Sequence, residues 1–426
     1  MARLESICLT GQRCAVFDGR VVWSPTRTPP VVGVPQICWE SGMPWREANL
    51  WLFERCCEKE VALRTVVANA TALHAYAQWL ETSSTDWWYF PPRKADRCLV
   101  RYRGVLKQAR DDGDLAPSTA SARMRVVILF YRWLRAAGLL SPEWPMWKER
   151  IVGIRLVDPV GFERTFMVNS TDLSIPNRAR PGTWLEDGLL PVSAAERDAI
   201  LDLADKHCSE ELRLMLAVGF FTGMRLGTIC DLKVETLLNA ATDPEVAGVF
   251  RLALGPGASP KVATKFGVTG RIWVVASLID RLREYAYSRR RMTRLALAAP
   301  GHRDLLFLTR FGNTYAERGA NKSPSLNVEM HRLKQIGIST GIAMRHFRFH
   351  QTRATFGTQL AKHLCSVSGP INAVALVRDQ MLHRDEATSL KYIRFTESTP
   401  AKEEAANAFT REFLGVFSRA SGAQNA

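Results

Sequence analysis

The chain has 426 residues, with 57 Lys and Arg against 42 Asp and Glu, a formal charge of +15. That length exceeds one ordinary core and predicts two or more domains, while so large a basic surplus points to a polyanion, nucleic acid first. The longest apolar run, LMLAVGFF at 214–221, is far short of the roughly 20 residues of a spanning helix, which argues against a membrane protein. The stretch MARLESICLTGQRC has no apolar signal core, and the nine cysteines are scattered with no CxxC pair. The expectation is therefore a cytoplasmic protein with reduced thiols, no zinc site and no cofactor.

In chain order, residues 1–45 are rich in Val, Pro and Gly, and CAVFDGRVVW predicts a hairpin turning at Asp18-Gly19. No function attaches to this segment from its sequence. Residues 46–140 predict helices, which read on their own as a plain bundle with a solvated basic face as readily as a DNA-binding one. LRTVVANATALHAYAQWLE carries apolar residues at helical spacing, and RKADRCLVRYRGVLKQARDDG is basic and amphipathic. PSTASARMRVVILFYRWLRAAGLL predicts a helix capped by Ser118 or Thr119 and ended by Gly138. Residues 141–188, with DPVGFERTF and SIPNRARPGTW, lack period and read as a linker.

Residues 189–426 predict a second domain. LPVSAAERDAILDLA starts a helix with Ser193 as cap and Glu196 in capping-box position. A further helix runs into GFFTGMRLGTICDLK. The strands GVFRLAL and KVATKFGVTGRIWVV follow, with a hairpin near Gly267 to Gly270, and DLLFLTR predicts a short strand among later helices. SRRRMTR at 288–294 reads either as a phosphate-contacting face or as a solvated one. After Pro400, Ala406, Phe409, Phe413 and Val416 or Phe417 form an apolar stripe on a tail helix that needs a groove, in its own or a neighbouring subunit. The fold class is mainly α with a small antiparallel β-sheet.

Breaking a DNA phosphodiester with side chains alone needs guanidinium forks for the nonbridging oxygens, a nucleophile and a general acid. The second half holds candidates for each. Arg225 sits in TGMRLGT, Lys265 in TKFG, His350 and Arg353 in FHQTRATFG, and His383 lies nine residues before Tyr392 in LHRDEATSLKY. Taken singly, each is more often a surface charge or a packing residue; the ordered set carries the reading.

That set resembles the tyrosine recombinase (phage integrase) family over about 189–400, with 60–140 similar to the family's helical core-binding (SAM-like) domain only in pattern. TGMRL looks like its first arginine motif, TKFGVTGRIWV its hairpin lysine, HQTRATFGTQL its His-x-x-Arg box and LHRDEATSLKY its last segment. Three departures stand out. Thr228 occupies a place often acidic, Leu382 stands where glycine usually precedes the histidine, and Arg353 to His383 is 30 residues, with CSVSGP as the expected extra loop.

The resemblance implies a catalytic set of Arg225, Lys265, His350, Arg353, His383 and Tyr392. Tyr392 would attack, the arginines would hold the phosphate, Lys265 would protonate the leaving oxygen and the histidines would assist. It further implies integration or excision of a mobile element, double-stranded DNA as partner, a homo-tetramer on paired sites with possible accessory or directionality proteins, and a place at the bacterial nucleoid. The alternatives are a type IB topoisomerase, a catalytically silent DNA-binding regulator and a basic structural protein.

Overall fold

The computed structural model describes residues 1–426 apart from 27–29, 59–60, 158–162, 178–184, 186–187, 317–322, 343 and 397–426, with backbone alone at 152–157, 163–168 and 368–371. The stripe from Ala406 to Phe417 lies outside the described residues. The chain divides into two compact units, Met1–Ala179 and Arg180–Ala426.

The first unit starts with β1 (Arg3–Leu9), β2 (Gln12–Phe17), β3 (Arg20–Pro25) and β4 (Val31–Cys38), where β1 pairs with β4 and β2 with β3, both antiparallel. The β2–β3 turn falls at Asp18 and Gly19, both at positive φ, as the sequence predicts. Helices α1 (Arg46–Cys57), α2 (Leu63–Thr82), α3 (Cys98–Asp111) and α4 (Pro117–Ala136) follow. On α2, Val66, Ala70, Leu73, Ala77 and Leu80 recur at three- and four-residue steps and are buried. They meet Met124, Val127, Tyr131 and Leu134 of α4 in one core. The residues before Pro44 join this core through Ala2 and Ile37, and Asn49 of α1 stitches both backbone groups of Ile37, donating at 2.9 Å and accepting at 2.8 Å.

Two expectations change here. Helix α4 is not capped by Ser118 or Thr119. Pro117 opens it with Ala116 at the cap, because a proline ring presets helical φ at the first position; Gly138 does end it, at φ 70°. The stretch read as an aperiodic linker contains β5 (Glu149–Val157) and β6 (Glu163–Thr171), a paired antiparallel hairpin. Its β-branched residues outweigh the neighbouring prolines and glycines, and Leu173 and Ile175 beyond it are buried in the first core.

The second unit holds α5 (Ala194–His207), α6 (Glu210–Thr222), α7 (Leu226–Cys230), α8 (Val234–Leu238), the strands β7 (Ala241–Thr242), β8 (Val249–Leu254) and β9 (Gly270–Val275), then α9 (Ala276–Ala286), α10 (Arg289–Leu297), α11 (Pro324–Ser339) and α12 (Gln351–Met381). Ser193 and Glu196 form the expected capping box. The three strands make one antiparallel sheet in the order β7-β8-β9. The second strand is shorter than the sequence suggests: residues 255–269 form a loop closed by a Gly255–Val262 bridge, with a 3₁₀ turn at Lys265–Gly267.

DLLFLTR makes only isolated bridges, Lys233 with Leu305 and Leu308 with Thr314. Several of its carbonyls are taken by arginines instead. Arg291 donates to Leu305 and Leu306, and Arg294 to Leu308. CSVSGP forms no extra loop either, since α12 runs helically through it and the additional residues lengthen the helix.

Candidate active site

Helix α6 is the buried centre of the second unit, and its end decides the site. Gly223 terminates it in the left-handed conformation at φ 66°. A Cβ on Gly219 would lie 2.5 Å from Thr352 Oγ1, and one on Gly223 2.5 Å from the Phe356 ring. Only glycine lets the end of α6 come this close to the start of α12. That contact brings Arg225, two residues after Gly223, near Arg353 in the first turn of α12.

Arg353 is 2% exposed. Its Nη1 donates to Gly223 O at 2.6 Å and its Nη2 to Met381 O at 2.8 Å. One guanidinium thus joins the segment before Arg225 to the segment before His383. Arg225 is the N-cap residue of α7 and half-buried. His350, also half-buried, occupies the N-cap position of α12.

Lys265 arrives from the β8–β9 loop. Its ammonium lies 5.3 Å from the centroid of the Phe266 ring, and the Arg384 guanidinium lies 6.0 Å from the same centroid. Phe266 is 63% exposed and sits at φ 65°, a conformation costly for a bulky side chain.

A solvent-open cleft is lined by Arg225, Thr228, Lys265, Arg353, Met381 and Leu382, among others. It gathers three of the six sequence-predicted residues, all cationic, against the end of α12.

Leu382 ends α12 at φ 48° and ψ 52°, the left-handed cap that glycine would occupy without strain. The departure from the family pattern therefore changes the residue and keeps the turn. His383 N then bonds to Arg378 O at 2.9 Å. The His383 ring is buried, 2.8 Å from Ser389 Oγ through Nδ1, and it stacks on Tyr392 with centroids 5.8 Å apart and planes 22° apart. Residues 386–396 are helical, and the nine-residue step places both rings together. Tyr392 is fully buried. A Cβ on Gly357 would lie 2.5 Å from Tyr392 Cε1 and 2.6 Å from Met381 Sδ, so Gly357 is the floor on which the tyrosine rests.

SRRRMTR divides unexpectedly. Arg291 and Arg294 are buried, and Arg291 donates to the carbonyls of Ala286, Arg303, Leu305 and Leu306. Arg290 and Arg294 both bind Glu211, which is fully buried. These three arginines hold the fold together, a role their sequence neighbours do not announce.

The site thus brings two arginines and a lysine into one cleft, and stacks a tyrosine on a histidine after the end of α12. Residues 192–397 match the family model described as "Phage integrase family". This part of the chain is similar to the phage integrase family, the site-specific recombinases of the tyrosine type.

Among solved structures, XerH site-specific recombinase bound to palindromic difH substrate, a post-cleavage complex, shares 15% identity and a TM-score of 0.51, covering 86% of this chain and 89% of that one. That match shows the common fold, a helical core-binding domain followed by a catalytic domain. The Tn1549 transposon integrase in complex with circular intermediate DNA matches at 14% identity and a TM-score of 0.48, covering 81% of this chain and 94% of that one. A lambda integrase dimer bound to a COC′ core site matches at 11% and 0.47, covering 82% and 76%. No curated protein matches. Among the described residues, no helix is long and apolar enough to cross a membrane.

Proposed function

We propose that this protein cuts and rejoins double-stranded DNA through a 3′-phosphotyrosyl intermediate, in the integration or excision of a mobile element. The convergence of Arg225, Lys265 and Arg353 on one cleft supports this reading most. The Tyr392 oxygen attacks the scissile phosphorus, and the bond from phosphorus to the 5′-oxygen breaks. Arg225 and Arg353 hold the nonbridging oxygens as their charge grows. Lys265 gives its proton to the leaving 5′-oxygen. His350 and His383 add hydrogen bonds at the phosphate and help remove the tyrosine proton. The phosphotyrosine keeps the bond energy, so the free 5′-hydroxyl of a second strand can reverse the step without ATP. Two such rounds on paired sites need four protomers.

Tyr392 must leave its buried seat to attack, so DNA binding is read as the event that uncovers it. The test is covalent trapping on genomic DNA followed by sequencing of the attached ends. The wild-type chain should give protein-linked 3′-ends at discrete sites. Tyr392→Phe should bind DNA equally well and give none. Adducts from Tyr392→Phe would place the nucleophile elsewhere. Relaxation of supercoiled DNA without site preference would favour the topoisomerase reading, and binding without any adduct the silent regulator.

A further inference from the structure

A general acid must be held to the leaving oxygen within a fraction of an ångström. Lys265 stands on a long loop, residues 255–269, so something must fix that loop to the body of the unit. The loop secures itself internally: Thr264 Oγ1 donates to Val268 O at 2.6 Å, and Gly257 N to Thr269 Oγ1 at 3.0 Å. Side chains of the body also reach it: Asn239 Nδ2, at the end of α8, donates to Ser259 O at 3.0 Å, and Asp231 ties it to α7. Ala263 N donates to Asp231 Oδ2 at 2.6 Å, two residues before Lys265.

Asp231 is buried and is itself held firmly. Its Oδ1 accepts from Lys233 Nζ at 3.0 Å, and the same ammonium donates to Asp231 O at 2.9 Å. One carboxylate oxygen faces the body and the other faces the loop. Asp231 is also the C-cap residue of α7, the short helix whose N-cap residue is Arg225. At about 1.5 Å per residue, α7 sets a span of about 9 Å between the two positions. The helix therefore works as a ruler with a phosphate-binding arginine at one end and the anchor of the lysine loop at the other.

We propose that Asp231 is a positioning residue for Lys265, fixing the loop register through the Ala263 amide so that the ammonium meets the leaving oxygen at a set distance from Arg225. This rests on the reading of Lys265 as general acid. The other reading of Asp231 is a plain ion pair that neutralises Lys233. The two differ in what an altered leaving group does.

The experiment is single-turnover cleavage of a duplex bearing either oxygen or sulfur at the bridging 5′ position. A thiolate leaves without a proton. Asp231→Ala should form adduct about 100-fold more slowly on the oxygen substrate, the cost of a misplaced group, and regain near wild-type rate on the sulfur substrate. DNA affinity should stay unchanged, and hydrogen exchange at the Ala263 amide should speed up. The double variant Asp231→Leu with Lys233→Met removes the acceptor without stranding the buried ammonium. It should behave in the same way, and it keeps the test open if Asp231→Ala does not fold. Equal loss on both substrates, or no loss on oxygen, overturns the proposal. Lys265→Ala is run beside it. If sulfur fails to rescue Lys265→Ala, the general-acid reading is what fails. If sulfur rescues Lys265→Ala and neither Asp231 variant, the positioning role fails alone.

Discussion

Glu211→Gln tests whether the arginines of α10 serve the fold or the DNA. Glu211 is fully buried near the start of α6. It accepts from Arg290 Nε at 2.8 Å and Nη2 at 2.9 Å, from Tyr285 Oη at 2.8 Å, and is paired with Arg294 Nη1 at 2.9 Å. Glutamine keeps the shape, removes the charge and turns an amide donor toward a guanidinium. Arg290 is half-exposed and can turn to water, but Arg294 is only 8% exposed and cannot. Leaving a buried charge without its partner costs about 3–5 kcal/mol. At about 2–4 °C per kcal/mol for a unit of this size, the melting temperature should fall by about 6–20 °C. Arg290→Lys, at the wet end of the same cluster, should cost about 1 kcal/mol or less.

Thermal and urea melts of the full chain read both variants. A Glu211→Gln loss below about 1 kcal/mol would refute the reasoning, because the desolvated pair is the source of the larger figure. The same cluster gives a pH dependence. Burial pushes the Glu211 carboxyl up, but the hydrogen bonds from Arg290, the Arg294 charge and the Tyr285 hydroxyl outweigh it and hold the group below its ordinary value. A depressed carboxylate contributes its stability above the unfolded pKa, about 4.3, and loses it as the pH falls through the folded one. Wild-type stability should therefore drop more than that of Glu211→Gln below about pH 4.

Two further outcomes follow from charge and packing. Affinity for noncognate duplex should fall steeply with salt, with a log–log slope of about −0.9 per phosphate neutralised, and a nearly flat response would contradict the role assigned to the +15 charge. Gly357→Ala gains up to about 1 kcal/mol of helix preference but drives a methyl into Tyr392 and Met381, an overpacking that costs about 1–3 kcal/mol. The melting temperature should fall, and an unchanged or raised value would show that Tyr392 does not rest on Gly357.

What the sequence revealed was local. The α5 capping box, the turn at Asp18-Gly19 and the stop at Gly138 each depend on residues a few positions apart, so reading neighbours suffices. The six candidate residues were legible as an ordered set of motifs. What stayed hidden depends on distant partners. Glu211 and Arg290 are 79 residues apart, and Ala263 and Asp231 are 32 apart; no spacing rule links either pair. A run of arginines looks like a solvated or phosphate-binding face until the buried carboxylate and carbonyls opposite it are seen. One signal for Asp231 lies in the sequence: Thr228 stands three residues after Arg225, where the resemblance implies an acid, and an acid follows one turn later, two residues before a lysine. The β5–β6 hairpin is masked in the sequence by the prolines and glycines beside it, which signal loop, while Ile151, Ile154 and Val157 are the β-branched residues that favour a strand.

The two halves of the proposed chemistry stand at different stages of readiness. Arg353 commits donors to Gly223 O and Met381 O, which fixes the plane of its fork before any phosphate arrives. Arg225 is set by the same turn, and the Lys265 loop is tied to the far end of α7. Electrostatic stabilisation is effective when the dipoles and charges do not have to reorganise during the reaction, and here the cations are held by backbone carbonyls, a helix and a buried carboxylate. Tyr392 is the opposite case. Its ring lies against His383 and over Gly357 with no exposed surface. The first cut therefore requires, on the proposed reading, uncovering the nucleophile, which moves residues 386–396 against α12. Arginines already set and a tyrosine stored away, on that reading, let the chain sit on noncognate DNA without cutting it. On the proposed reading, the cognate complex differs by releasing that one helix.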